Sequence, residues 1–377
     1  MLLHDIWLAE LEGMTLLQKH RLLERHQDPE ALYHSDILKD KDLSKAEKIL
    51  TLCQKKRIGI LPLSDERYPA RLRNTPDAPL VLYYAGTLPD WEERPFIGVV
   101  GTRKVSDYGL QVSHQMGFQI ALCGGMVVSG GASGADTAAM RGAMEAGCPV
   151  VGVMGTGLDT VYPRENRDFF ASVIRRGGCL LSEYAPASRS APWHFRARNR
   201  IISGISNGTL VVEAPEKSGA LVTARFALEQ GRDVFVVPGN INTAACEGSN
   251  RLLQEGATPV FTGWDVVSGY AFLYPGKLQK DAKTPPLPRE NGEKREMTRK
   301  KSIDNGENSA YSVVENNRPP LSEDEKAVLA QLTGSAQEPA DLIAQLDMPS
   351  GKVLSALTML TVKGLARKHP GGRYSLK

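Results

Sequence analysis

Short apolar runs alternate with glycine clusters and amphipathic stretches through the middle of the chain. The runs span 96–101, 126–131, 149–155, 179–183, 209–214 and 233–239. Several are apolar on both faces, which is typical of strands in a buried parallel sheet. Windows of helical period, long enough to form crossover helices, lie at 107–123, 135–146, 220–230 and 248–255. This repetition predicts an α/β fold with a Rossmann-like, doubly wound parallel sheet.

Three segments differ from this predicted sheet domain, which we place at 71–274. Residues 1–70 carry apolar positions at helical spacing and predict a small helical domain of the SAM or helix-hairpin-helix type. Its turn at Gly13 lacks the usual second glycine, which favours a structural role. Residues 275–318 are rich in Pro, Lys, Arg, Glu and Asn and predict a disordered linker. Residues 319–377 show three helical segments and a basic Gly-Gly hairpin, which predicts a winged-helix-like domain or, alternatively, a protein-interaction module.

Composition narrows the class of protein. The 377 residues are 41% hydrophobic and 24% charged, as expected for a folded protein of two or three domains. No run approaches the about 18 apolar residues that cross a bilayer. The first residues include Asp5, Glu10 and Glu12, where a signal peptide would be basic and then apolar. We therefore expect a cytoplasmic protein without a membrane partner.

The remaining chemistry of the chain is sparse. Five cysteines are far apart and never form a C-x-x-C pair, so we expect neither a disulfide framework nor a zinc site. Seven histidines are scattered, and no H-E-x-x-H, G-x-S-x-G or carboxylate-rich metal cluster occurs. We expect binding without catalysis, with no metal and no cofactor. The net charge of +3 neither demands nor excludes a nucleic-acid partner.

Glycine-rich loops between strands and helices are the candidate anion sites, because ligands of doubly wound sheets bind beyond the carboxyl ends of the strands. After the first sheet strand, Gly98-x-x-Gly101-Thr102-Arg103 offers backbone amides and a forked guanidinium. The loop 129–136, which contains Gly131, offers amides and hydroxyls, and Asp136 is expected to cap the helix that follows.

A further loop contains Lys217, Ser218 and Gly219 and is followed by Arg225. Ser218 and Gly219 are expected to open a helix, with Lys217 placed where an anion would bind. This loop predicts a second anion site beside the first.

A basic stretch with interleaved aromatic residues is the most informative signal. From Tyr184 to Val212 there is no acidic residue, and the stretch contains Arg189, Trp193, His194, Phe195, Arg196, Arg198, Asn199 and Arg200. Such a stretch suits a nucleic-acid backbone with stacked bases, although a solvated basic face is the alternative. If Arg196 and Arg200 lie on one helix, they share a face.

Several ordered motifs resemble the DNA-processing protein A family (DprA/Smf) over about residues 60–262. They are GVVGTRKVSDYG, VVSGGASGADTAAMRGAMEAG, MGTGLDTVYPREN, LLSEYAP, RNRIISGISNGTLVVEAPEKSGALVTARFALEQGRDVFVVPGNI and EGSNRLLQEGA. The resemblance implies a protein that binds single-stranded DNA without sequence preference and forms a homodimer through its Rossmann-like domain. It also implies loading of the recombinase RecA and a role in natural transformation and recombination.

The resemblance also implies a set of DNA-binding residues. By motif these are Arg103, Gly131, Phe195, Arg198, Asn199, Arg200, Lys217, Ser218, Gly219 and Arg225. The chain departs from the family pattern at Ser133, Ala135 and Met140, where the family usually has Arg, Ile and His. The resemblance therefore does not extend a cationic contact to that loop. Arg196 follows Phe195 in place of the family's proline and adds a charge nearby.

Two other functions remain open from the sequence. A related superfamily of phosphoribohydrolases carries a P-G-G-x-G-T-x-x-E loop, where this chain has Lys-Ser-Gly-Ala-Leu-Val-Thr from 217 to 223. A DNA-binding regulator with a ligand-sensing Rossmann domain is suggested by the winged-helix-like tail. Lys352 and Lys363 are the only basic residues in the second and third helical segments of that tail.

Overall fold

A nine-stranded sheet forms the centre of a computed structural model of the chain, which describes residues 2–280 and 321–376 except 334, 336, 347, 364 and 370–372. Contacts divide the chain into two compact units, residues 1–292 and 293–377. The sheet belongs to the first unit. Its strands are β1 (Gly59–Pro62), β2 (Val81–Gly86), β3 (Phe96–Val100), β4 (Met126–Ser129), β5 (Val151–Met154), β6 (Cys179–Ser182), β7 (Gly208–Val211), β8 (Asp233–Val236) and β9 (Thr258–Pro259).

The strand order is β1-β2-β6-β5-β4-β3-β7-β8-β9. The strands from β3 to β9 are parallel to one another, and β1 and β2 add an antiparallel edge beside β6. From β3 the chain winds outward through β4, β5 and β6 and then returns to place β7 on the other side of β3. The sheet is therefore doubly wound, as predicted, and its topological switch point lies between the carboxyl ends of β3 and β7.

Helices cover both faces of this sheet. In the first unit they are α1 (Leu2–Glu10), α2 (Leu16–His26), α3 (Pro29–His34), α4 (Ser44–Lys56), α5 (Ala70–Arg73), α6 (Asp107–Leu122), α7 (Ala135–Glu145), α8 (Arg167–Arg175), α9 (Pro192–Ala197), α10 (Asn199–Ile205), α11 (Gly219–Glu229), α12 (Glu247–Gln254) and α13 (Gly263–Val267). Short 3-10 turns lie at Arg164–Asn166, Ala244–Cys246 and Ser268–Tyr270. None of the helices in the described residues is both long and apolar enough to cross a membrane.

Two apolar layers hold these helices on the sheet. Because successive side chains of a strand point to opposite faces, β3 contributes to both layers. Ile97 and Val99 pack with side chains from α6, α7, α8 and α13. Phe96 and Val100 pack with side chains from α5, α10, α11 and α12 on the other face. Strand β3 is apolar on both faces because it is buried between two helical layers.

The N-terminal helices share a core with the antiparallel edge of the sheet. Ile6, Leu8 and Leu32 pack against Val81 and Tyr83 of β2. Strand β1 lies within the segment predicted to be helical and pairs with β2 in the sheet. A short strand of this kind was not recognised because its four residues show no period of their own.

The second unit contains three helices and a hairpin, the arrangement of a winged helix. Its elements are α14 (Glu323–Gln331), α15 (Pro339–Gln345), α16 (Ser350–Val362), β10 (Ala366–Lys368) and β11 (Tyr374–Leu376). Its core is formed by Val328, Leu342, Val353, Leu357 and Leu360. The order of elements agrees with the prediction for 319–377.

The predicted linker, 275–318, lies mainly outside the described residues. Its first residues, 275–280, are described and lie on the sheet domain. The backbone N–H of Gln279 donates to the carbonyl of Cys123 at 3.2 Å, and Leu278 packs against the core. The sheet domain therefore extends a few residues beyond the predicted boundary at 274.

Helices α6 and α7 approach so closely that their contact requires glycine on both sides. A Cβ atom on Gly117 would lie 2.0 Å from the carbonyl oxygen of Ala139, and one on Gly142 would lie 1.9 Å from that of His114. Neither neighbour is a flexible side chain, so a methyl group at either position would force the two backbones apart.

We predict that Gly142→Ala lowers the free energy of unfolding by about 1–3 kcal/mol, because the added methyl group overpacks the helix contact. Urea unfolding followed by circular dichroism measures this change. Gly269→Ala is the control, since a Cβ there meets no atom within 4 Å. Equal stability of the two variants would contradict the assigned contact.

Candidate nucleic-acid interface

A groove of about 620 Å³ opens at the switch point of the sheet. Its walls are the loops after β3, β4 and β7 and the segment that contains α9 and the start of α10. Of the predicted site residues it brings together Arg103, Phe195, Arg198, Asn199, Lys217, Ser218 and Gly219. The position agrees with the general rule that ligands of doubly wound sheets bind beyond the carboxyl ends of the strands.

Positive charge without an acidic partner surrounds this groove. Arg103, Lys104, Arg196 and Lys217 line it, and all four are exposed. Among the residues that the structure describes, none of these four side chains has a carboxylate within 4 Å. The groove is therefore an open site for a polyanion.

A half-buried aromatic ring lies among these charges. The ring of Phe195 is 4.9 Å from that of Tyr162, centroid to centroid, and the guanidinium carbon of Arg103 lies 5.6 Å from the Phe195 centroid. An aromatic ring beside a guanidinium offers a stacking surface for a flat π system, such as a nucleobase.

Arg198 forms the inner wall of the groove. It is only 4% exposed, and its Nη1 donates to the carbonyls of Gly130, at 2.8 Å, and Val153. Burial lowers the pKa of Arg198 to about 10, while the neighbouring Asp136 opposes this shift. Since Nη1 is engaged by these main-chain carbonyls and Nε by the Asn199 side chain, Arg198 positions the surrounding loops.

Asp136 does not cap the helix that follows it, which corrects the prediction. Helix α7 begins at Ala135 after Gly134, whose φ of +95° is readily adopted only by glycine. The Asp136 carboxylate instead turns back and accepts the N–H of Gly130 at 3.1 Å. Burial raises its pKa, and the attraction of Arg198 opposes that effect. Asp136 therefore organises the glycine loop and not the helix start.

The loop that carries Lys217 is fixed from both sides. Ser218 caps α11 by accepting the N–H of Ala220 at 3.2 Å, so Ser218 and Gly219 open the helix as predicted. The Asn199 side chain donates to the carbonyl of Gly219 at 3.2 Å. Asn199 thus joins α10 to the start of α11 beneath the exposed Lys217.

Glu213 is the central residue that the sequence reasoning missed. Its side chain is 1% exposed and accepts the N–H of Ser106 at 2.9 Å and the Ser106 hydroxyl at 2.5 Å. Its carbonyl accepts the N–H of Thr102 at 2.8 Å. Glu213 follows β7, whereas Thr102 and Ser106 belong to the loop after β3, so these bonds join the two sides of the switch point. The sequence signal for Glu213 is its place as the charged residue near the end of the otherwise apolar run 209–214.

Arg200 lies outside the groove. It is 7% exposed, and its guanidinium pairs with Glu183 at 2.5 Å and Asp77 at 3.0 Å. Burial opposes its charge, but the two carboxylates raise the pKa of Arg200 above its usual value. The condition for a face shared with Arg196 is not met, because α9 ends before Arg198 and α10 starts after it. Contact of Arg200 with DNA stays a prediction.

Two further predicted residues also lie outside the groove lining. Arg225 is exposed on α11, one turn and a half beyond Gly219. Gly131 has a φ of +61°, and a Cβ there would lie 2.6 Å from the ring of Phe170. Gly131 therefore has a steric role in shaping the loop, and its DNA contact stays a prediction.

The three departures from the family pattern leave the loop after β4 uncharged. The Ser133 hydroxyl donates to Glu165 at 2.8 Å. Ala135 lies against Gly101: a Cβ atom added to Gly101 would be 2.5 Å from the Cβ of Ala135. Met140 is buried in the core. The positive charge of the groove therefore comes from the loops after β3 and β7 and from α9.

A doubly wound sheet with a basic, partly aromatic groove at its switch point defines a protein of the Rossmann-like class, and the groove is suited to a phosphate-containing ligand. Comparison with known proteins narrows this class. The chain belongs to the family described as DNA recombination-mediator protein A, whose model matches residues 59–271. A second model, the DprA winged helix domain, matches residues 315–372.

Individual relatives agree with this assignment. The DNA processing protein DprA of Bacillus subtilis is 38% identical over 222 residues, which cover 59% of this chain and 74% of that protein. The X-ray structure of DNA processing protein A from Streptococcus pneumoniae has a TM-score of 0.62 and 32% identity, covering 71% of this chain and 98% of that one. The Helicobacter pylori protein of the same name is described for its single-stranded DNA binding mode. Its structure has a TM-score of 0.51 and 27% identity, covering 57% of this chain and 96% of that one.

We predict that Glu213→Gln lowers the free energy of unfolding by about 1–3 kcal/mol, because the hydrogen bonds to Ser106 lose a charged acceptor. Denaturant unfolding of the purified variant measures the loss. Glu216→Gln, in the same loop, is the control: Glu216 forms an exposed pair with Arg251 at 2.8 Å, worth little stability. If both variants unfold at the same urea concentration, Glu213 does not join the two loops.

Proposed function

We propose that this protein binds single-stranded DNA without sequence preference in the groove at the switch point. The observation that carries the proposal is a set of cations without a carboxylate partner among the described residues, around the ring of Phe195: Arg103, Lys104, Arg196 and Lys217. Contacts to phosphates carry no sequence information, and every base has a face that stacks on an aromatic ring. The single-stranded DNA binding of the Helicobacter pylori relative supports the same ligand.

The second unit is less suited to be the main DNA site, which argues against the regulator hypothesis. On α16, Lys352 lies 3.7 Å from Asp324, so its charge is shared with a carboxylate. Leu354 and Met359 are exposed apolar residues on the same helix. A helix that inserts into a DNA groove carries cations to the phosphates. We therefore assign DNA binding to the sheet domain.

We further propose that the chain acts in recombination by delivering the bound strand to the recombinase RecA, without catalysing a reaction itself. Membership in a family of recombination mediators supports this role. Asp136, the carboxylate that lines the groove, is buried and engaged by loop amides, which supports binding over bond cleavage. The five cysteines are free thiols, which supports a reducing, cytoplasmic environment.

A homodimer through the Rossmann-like domain is the proposed assembly. Ile241 after β8 and Phe261 after β9 are exposed apolar side chains. They follow the carboxyl ends of two strands that pair in parallel. Exposed apolar residues at one edge of a sheet mark an interaction surface, so we place the dimer contact there.

The DNA-binding test is a salt titration of the affinity for oligonucleotides, measured by fluorescence anisotropy. We expect Arg103→Ala and Lys217→Ala each to weaken binding equally for oligo-dT and mixed sequences. Each should also reduce the slope of log affinity against log salt by about 0.7, the value for one phosphate of a single strand. Arg175→Ala, an exposed arginine of α8, is the control and should leave the slope unchanged. Wild-type binding to oligo-dT no tighter than that of an unrelated protein would end the proposal.

The assembly is tested by the molar mass in solution, measured by light scattering after size exclusion. We expect twice the mass of one chain for the wild type and the mass of one chain for Phe261→Asp, because a buried unpaired carboxylate opposes an apolar contact. Phe272→Asp is the control, since Phe272 is equally exposed but lies elsewhere in the chain. A wild type that elutes as a single chain would contradict the dimer.

A further inference from the structure

Helix α9 separates the DNA groove from a second groove of about 1160 Å³. The second groove lies between the N-terminal helices and the segment that follows β6, and it is lined by Leu16, Ile49, Tyr184 and Trp193 among others. Two residues that are two positions apart on a helix are related by a rotation of about 200° about its axis, so their side chains point to opposite sides. Phe195 therefore faces the first groove, while Trp193 faces the second.

Trp193 is the outermost member of an aromatic cluster. It is 63% exposed, and its ring stands at 86° to that of His194, with the centroids 4.2 Å apart. His194 in turn stacks on Tyr184, with centroids 3.8 Å apart and an interplanar angle of 13°. The stack, in which His194 is buried and Tyr184 half-buried, lies against the indole and leaves most of it to solvent. A large aromatic residue held in this way offers a rigid stacking surface.

The charges around Trp193 admit a phosphate backbone. Arg189 and Arg196 are exposed on either side of it in sequence, and among the described residues neither has a carboxylate within 4 Å. The carboxylates that line the second groove are paired with Lys45 or Arg200; they are Glu10, Glu12, Asp77 and Glu183. Lys48 and Arg189 also line this groove, so its four carboxylates face four cations and do not repel a strand that reaches the rim.

We propose that a strand bound in the first groove continues across α9 and stacks one of its bases on Trp193. The inference rests on the proposed function and adds a second base-binding position to it. The ligand is a nucleobase of the same strand, because a helix with side chains is only about 10–12 Å wide and the cations Arg196 and Arg189 flank the crossing. Phe195 and Trp193 thus hold bases on opposite sides of one short helix.

Intrinsic fluorescence of the full chain reports on this position. Trp7 and Trp91 are buried and Trp264 is half-buried, so Trp193 is the exposed indole of the four. We expect its emission to fall when the protein is saturated with an oligo-dT of about 20 nucleotides, long enough to span both grooves. In Trp193→Phe this change should disappear while the affinity stays within about twofold, because phenylalanine still stacks.

The affinity of Trp193→Ala is the second measurement. Loss of one base–aromatic stack should raise the Kd for the same oligonucleotide about 5- to 150-fold. The salt slope should stay unchanged, because an indole carries no charge, and this separates the variant from Arg103→Ala. Phe272→Ala, another exposed aromatic residue, is the control and should alter neither the affinity nor the emission change.

Three results would overturn the inference or its basis. The first result is that Trp193→Ala binds oligo-dT as tightly as the wild type and that the wild-type emission does not change on binding. It would show that the strand does not reach Trp193, while the first groove still binds DNA. The second result is that Trp193→Ala binds DNA normally but no longer delivers the strand to RecA. It would assign Trp193 to a protein contact instead. Failure of the wild type to bind oligo-dT would remove the proposed function itself.

Discussion

The buried carboxylate of Glu213 is the interaction on which the groove depends. The two halves of a doubly wound sheet diverge at the switch point, and the loops that leave β3 and β7 have no strand pairing to hold them together. Glu213 supplies this link through its side-chain bonds to Ser106 and its carbonyl bond to Thr102. A Cβ on Gly109 would lie 2.3 Å from this carboxylate, so the first turn of α6 must be free of a side chain there. The loop that presents Arg103 and Lys104 is therefore held from within the protein.

The arginines of the basic stretch from Tyr184 to Val212 form two groups with different roles. Arg198 and Arg200 are buried, and they donate hydrogen bonds to carbonyls and carboxylates of the protein. Arg189 and Arg196 remain exposed with no acidic partner among the described residues. The break between α9 and α10 produces this division, because it turns neighbouring residues toward different surroundings. Charge in a sequence therefore does not by itself show which cations are available to a ligand.

Much of the sheet could be predicted from the sequence because its strands are buried on both faces. The runs that became β3 to β8 are continuous and apolar, and glycine turns separate them from helices of ordinary period. Strand β1 could not be predicted in this way, since it is short and lies at an edge. The groove itself was partly predictable: Arg103 and Lys217 follow strands that the topology places side by side. The burial of Arg200 and the position of Glu213 depend on partners far away in sequence, Asp77 and Ser106, and no local pattern contains that information.

The unpaired cations of the groove also affect the protein when no ligand is present. Arg103, Lys104, Arg196 and Lys217 repel one another across the groove that they line, and this repulsion destabilises the arrangement of the loops that carry them. A polyanion that enters the groove removes the repulsion and favours the same arrangement. Binding of a polyanion in the groove and ordering of these loops are therefore thermodynamically linked, because each favours the other.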